Sequence, residues 1–85
     1  MKYYLYILLT KDDTLYCGIA RDVQKRFLEH LNGKGAKYTR SHKPLKIVYT
    51  KEYDNKSDAL KEECRIKKLK RSQKLELIEA ANREG

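Results

Sequence analysis

The chain has 85 residues, 40% hydrophobic and 38% charged, which suffices for one domain with one small core and leaves no room for a second. Twenty Lys and Arg against twelve Asp and Glu give a formal charge of +8, so polyanions lead the candidate partners. Cys17 and Cys64 lack CxxC spacing, His30 and His42 complete no compact zinc set, and the run Leu5 to Leu9 is too short to cross a bilayer or act as a secretory signal. A cytoplasmic protein that does not enter a membrane, with two buried thiols, is expected.

In chain order, Tyr3 to Leu9 is rich in tyrosine and aliphatic residues and reads as a strand. Lys11-Asp12-Asp13 breaks it, and Thr14 to Ala20 reads as the antiparallel return. A loop of that length sets Tyr6 opposite Gly18 and Tyr16 opposite Leu8, so both tyrosines share one face. A loop shorter by one residue would separate them. Asp22 is the expected N-cap of a helix through Leu31, with Val23, Phe27 and Leu31 as its apolar stripe. Arg26 and His30 lie one turn apart on the flank of that stripe and point to the same place. Gly33 and Gly35 stop the helix and open a basic loop holding Lys34, Lys37, Tyr38, Arg40 and Lys43. That loop is the expected tracker of a phosphate backbone, since loops carry such contacts. His42 reads as ordinary loop and Asn32 as a helix-end residue.

Pro44 precedes a third strand, Lys46 to Tyr53. Ser57 is the expected cap of a helix through Lys70, and Ser72 starts a last helix with Leu75 and Ile78 along one side. At about 100° per residue, Ala59 and Ile66 bound one side of an apolar arc, Leu60 and Cys64 the other, and Glu63 falls between them. Glu62 is expected on the opposite, solvated side. A carboxylate inside a core-facing stripe costs several kcal/mol of desolvation unless a cation holds it. An ion pair with Lys67 is the bland account of Glu63; a functional site is the sharper one. From Arg65 to Lys74 six basic residues occur without an acidic one, a run that a solvated helix face also explains.

Tyr6, Tyr16, Arg26, His30 and Glu63 suit phosphodiester hydrolysis if the fold gathers them. Glu63 suits a hard divalent ion such as Mg²⁺ or Mn²⁺, which binds oxygen and keeps most of its waters. Arg26 pairs with phosphate oxygens and is always charged. A tyrosine, at an ordinary pKa of about 10, becomes a base only where cations stabilise its phenolate.

These residues, in this order, resemble the GIY-YIG nuclease superfamily and its small stand-alone bacterial members. Tyr4-Leu5-Tyr6 stands in place of the first triplet, without its glycine, and Tyr16-Cys17-Gly18 in place of the second, with cysteine for isoleucine. Arg26 and His30, the run Gly33 to Arg40, and Ala59 to Glu63 followed by Ile66-Lys67 complete a match over nearly the whole chain. The resemblance implies an α/β fold, a small three-stranded antiparallel sheet flanked by helices in the order β-β-α-β-α-α. It implies one-metal hydrolysis with Glu63 as the protein ligand, Arg26 on the phosphate, and Tyr6 or Tyr16 near the attacking water. The leading expectation is a metal-dependent endonuclease acting on DNA rather than RNA, drawing specificity from a protein partner or a homodimer. The runner-up is a weakly active or non-catalytic nucleic-acid-binding module of the same fold. A protein-interaction adaptor has only the small size and the last helix in its favour.

Overall fold

Leu5, Tyr6, Ile7 and Leu8 are all buried, so the first strand, β1 (Tyr3–Thr10), is covered on both faces and takes the middle of the sheet. It pairs antiparallel with β2 (Leu15–Ala20) on one side and β3 (Pro44–Tyr53) on the other, giving the order β2-β1-β3. Helix α1 (Val23–Leu31) follows β2, and a short α2 (Lys37–Ser41) forms inside the basic loop before β3. Helices α3 (Lys56–Lys67) and α4 (Arg71–Glu84) complete the chain. This computed structural model describes residues 1–84. The expected three-stranded antiparallel sheet with flanking helices is present, with α2 added to the expected order.

The hairpin between β1 and β2 closes over Lys11-Asp12-Asp13. Thr10 N–H donates to Thr14 O at 2.9 Å, and Asp13 takes a left-handed φ of 63°. A turn ended by a left-handed residue is the common closure for a loop of this length. Tyr6 therefore lies opposite Gly18 and Tyr16 opposite Leu8, as the loop length predicts.

Alternation along the strands divides the sheet into two faces. One face carries Leu5, Ile7 and Cys17, which pack with Ile66 of α3 and Ile78 of α4 to form the apolar core. Each fully buried aliphatic side chain there contributes roughly 1.5–3 kcal/mol. The other face carries Tyr6, Leu8, Tyr16 and Gly18 and is covered from the α1 side, where His30 meets Tyr6.

Several local expectations change. Asn55, not Ser57, caps α3: its side-chain oxygen accepts from Asp58 N–H at 2.8 Å, so the helix starts earlier. The helix ends at Lys67 rather than Lys70, and Gln73 accepts from Lys70 N–H at 2.9 Å as the chain enters α4. The buried arc of α3 runs through Ala59 and Ile66; Leu60 and Cys64 face out. Only Cys17 is therefore a buried thiol. Glu62 is not on the solvated side, because its side chain and that of Glu63 are equally covered, at 19% exposure each. On α1 the fully buried residue is His30, Val23, Arg26 and Phe27 are half-buried, and Leu28 and Leu31 are exposed, so His30 rather than Leu31 lies deepest on the inward face.

Candidate functional site

The centre of the site is the buried Tyr6–His30 pair. Asp22 caps α1 by accepting from Lys25 N–H at 3.1 Å, which sets the phase that turns His30 inward and Arg26 beside it. His30 Nε2 lies 2.9 Å from the Tyr6 hydroxyl, and Nδ1 lies 2.7 Å from the Thr39 hydroxyl. Gly18 leaves the space into which Tyr6 points: a Cβ there would lie 2.6 Å from the Tyr6 oxygen. Tyr16 packs edge-on to His30 with ring centres 5.3 Å apart, and 6.4 Å from Tyr6. The structure thus brings Tyr6, Tyr16, Arg26 and His30 together on one face.

Arg26 is about one third exposed and contacts Glu29 at 3.3 Å. An open cleft of about 650 Å³ adjoins it, lined also by Lys2, Arg21 and Lys25, with Asp22 and Glu29 opposing them. Burial pushes the Tyr6 phenol up to about 12, with Tyr16 adding to the rise and the Arg26 guanidinium opposing it. Burial and Arg26 together hold His30 below its ordinary 6.5, so it is neutral at pH 7. Cations do not stabilise a Tyr6 phenolate here: desolvation outweighs Arg26, and a neutral His30 adds no charge. At rest the phenol keeps its proton.

Glu63 does not join this cluster. It lies on the core side of the sheet, where its charge acts on the Cys17 thiol, which burial foremost pushes up to about 11. The carboxylate pairs with Lys67 at 3.6 Å. Across the helix, Glu62 accepts from the Tyr53 hydroxyl at 3.1 Å, so Glu62 leans towards β3 and Glu63 towards β2. β2 is an edge strand, and Cys17, on which the Glu63 charge acts, lies on the face opposite Tyr16. Among the described residues no group of three His, Cys, Asp or Glu gathers to hold a metal. A lone, partly exposed carboxylate still fits a hard, water-rich divalent ion, whereas it fits neither zinc nor a softer metal.

Lys34, Lys37, Arg40 and Lys43 are exposed around α2, as a backbone-tracking loop requires. Tyr38 is partly exposed and stacks with both Tyr16 and His42, at centroid distances of 5.7 and 4.3 Å. His42, read as plain loop, ends this ladder and pairs with Asp12, which also accepts from Thr10. Thr39 is a residue of the site that sequence patterning does not single out. Its one signal is a β-branched hydroxyl among cations, three residues after Ala36, whose carbonyl it bonds. In the other basic run, Arg65 pairs with Glu62, Lys67 with Glu63 and Arg71 with Asp13, so half of it is engaged within the fold.

A family model described as the GIY-YIG catalytic domain matches residues 2–76. A UPF0213 protein of Staphylococcus saprophyticus is 49% identical over 77 residues, 91% of this chain and 94% of its own. Another from Cupriavidus necator is 53% identical over 72 residues, 85% of this chain and 78% of its own. The solution structure of the UPF0213 protein of Bacillus halodurans superposes with a TM-score of 0.62 at 40% identity, covering 94% of this chain and 85% of that one. A protein of E. faecalis reaches 0.68 at 33% identity, covering 100% and 91%.

Proposed function

Because the chain belongs to the GIY-YIG catalytic-domain family, we propose that it is a divalent-metal-dependent endonuclease that hydrolyses phosphodiester bonds in DNA. The observation that carries this reading is the Tyr6 hydroxyl, held at 2.9 Å from His30 and influenced by the Arg26 guanidinium. Arg26 binds the scissile phosphate and neutralises the charge that builds on it. Arg26 acts directly on Tyr6, so Tyr6 takes the role beside the attacking water: its oxygen accepts a proton from that water as its own proton passes to His30 Nε2. Tyr16 walls the site and holds the imidazole edge-on. Glu63 would hold Mg²⁺ or Mn²⁺ beside the β2 edge, and a bound ion would supply positive charge against that which builds on the phosphate. Lys34, Lys37, Tyr38, Arg40 and Lys43 track the strand beyond the cleavage point. A domain of this size offers contact area on the scale of one recognition module, roughly 600–1,000 Å², so specificity comes from a partner or a second copy.

A second reading, a nucleic-acid-binding module of the same fold, draws on one observation: Glu63 is engaged by Lys67 and acts on Cys17, on the face of β2 opposite Tyr16. Supercoiled, single-stranded and branched DNA incubated with Mg²⁺ or Mn²⁺, with and without chelator, separates the two. Cleavage that chelator, Glu63→Ala and Arg26→Ala each abolish, with binding kept in at least one variant, supports the nuclease. Binding without nicking, indifferent to chelator and to Glu63→Ala, overturns it in favour of the module.

A further inference from the structure

Thr39 is fully covered and stands at the far end of a hydrogen-bonded chain from Tyr6. The chain runs from the Tyr6 hydroxyl to His30 Nε2, from Nδ1 to Thr39 Oγ1, and from Thr39 Oγ1 to Ala36 O at 2.9 Å. A neutral imidazole carries one proton, a phenol one and a threonine hydroxyl one, so these three protons must serve three contacts in a single direction. The Ala36 carbonyl only accepts, and it takes both the Thr39 N–H at 3.1 Å and the hydroxyl, so the direction is decided at the Tyr6 end. In one direction Thr39 accepts from Nδ1–H, Nε2 is bare, and Tyr6 donates to it. The reverse direction has Nε2–H pointing at Tyr6 and leaves the Tyr6 proton to find another acceptor. Its nearby charged neighbour, Arg26, only donates, and among the described residues no other hydrogen bond from Tyr6 exists. An unmatched buried hydroxyl proton is unfavourable, so the first direction holds.

We infer that Thr39 is a positioning residue for the site: by accepting a hydrogen bond from Nδ1–H of His30 it holds the imidazole in the orientation and tautomer that can receive the proton of Tyr6. Gly35 supplies the second half of the device. A Cβ at Gly35 would lie 2.7 Å from His30 Cγ and closer still to Nδ1, so the backbone of the loop lies flush against the ring. The segment from Gly35 to Thr39 is shaped around one side chain of α1, and this gives the basic loop a role besides holding phosphates. A base oriented by a third group through its other nitrogen is the general logic of hydroxyl activation. Its consequence for cleavage rests on the nuclease reading; the tautomer does not.

The test is nitrogen-15 NMR of the imidazole of His30, told apart from His42 by His42→Gln, at pH 7.5. The expected spectrum has Nδ1 protonated and Nε2 bare in wild type and in Thr39→Ser. Thr39→Val, which fills the space without an acceptor, leaves Nδ1–H unpartnered and moves the nitrogen signals from their wild-type positions. Nicking, where wild type shows it, falls roughly 10²-fold in Thr39→Val, the low end of what a positioned proton acceptor contributes, and Thr39→Ser restores it. A wild-type spectrum with Nε2 protonated overturns the inference even if Thr39→Val fails to fold. So does a folded Thr39→Val with both nitrogen signals unmoved. Absence of nicking in wild type with the expected tautomer overturns the nuclease reading alone and leaves the role of Thr39 supported.

Discussion

Gly18→Ala tests whether the space beside Tyr6 is as tight as the site requires. In an ordinary strand position, replacing glycine by alanine gains about 0.5–1 kcal/mol, because the unfolded chain loses freedom it no longer has to surrender. At Gly18 the added Cβ would meet the Tyr6 oxygen at 2.6 Å and Cζ at 2.8 Å. The ring cannot swing clear, since Tyr6 is 1% exposed and its hydroxyl is held by His30. Overpacking of this kind costs about 1–3 kcal/mol, and a ring with no free direction belongs at the upper end. The two effects oppose each other and the clash wins, for a net loss of about 2 kcal/mol. In a domain of this size each kcal/mol moves the melting temperature by about 4–8 °C, so a fall of roughly 10 °C is expected by calorimetry. Urea unfolding of Gly18→Ala, Tyr6→Phe and the double variant adds a sharper readout. Loss of the hydroxyl removes the nearest contact, so Gly18→Ala costs about 1 kcal/mol less in the Tyr6→Phe background. A Gly18→Ala protein as stable as wild type, or costs that simply add, refutes the tight-contact argument.

Three other expectations follow from the same geometry. His30 has a lowered folded pKa, so below its unfolded value of 6.5 the unfolded chain binds the extra proton first; stability contributed by neutral His30 is complete above pH 6.5 and declines as pH falls beneath it. His30→Gln flattens that decline in urea melts between pH 7.5 and 5, and parallel slopes in the two proteins contradict it. Iodoacetamide modifies exposed Cys64 in the native protein and reaches buried Cys17 only on unfolding, read by peptide mass spectrometry; native labelling of Cys17 at an equal rate would contradict the core packing. For DNA binding, removing Lys37 and Arg40 together lowers the slope of log affinity against log salt by about 2, since each phosphate contact releases about one counterion. An unchanged slope removes this loop from the interface.

The strands, α1 and the pairing of Tyr6 with Gly18 were legible in the residues because they depend on local rules: side-chain alternation, loop length and a capping aspartate. Glu63 was legible as an anomaly, but its place was not. Helix periodicity finds an apolar arc without saying which sheet face receives it, and here α3 covers the Leu5–Ile7–Cys17 face while the phenols occupy the other. Glu62 shows the same gap, since its cover comes from Tyr53, a partner on another element. Thr39 and His42 looked like filler because their partners, His30 and Asp12, lie 9 and 30 residues away along the chain. The strongly raised phenol of Tyr6 is likewise a product of burial that no triplet encodes. Amino-acid order set the elements and the inventory of chemical groups, since those follow from neighbours a few positions apart. Which groups share a face, lose water or exchange protons awaited the packing of distant segments, because desolvation and hydrogen bonding act through space.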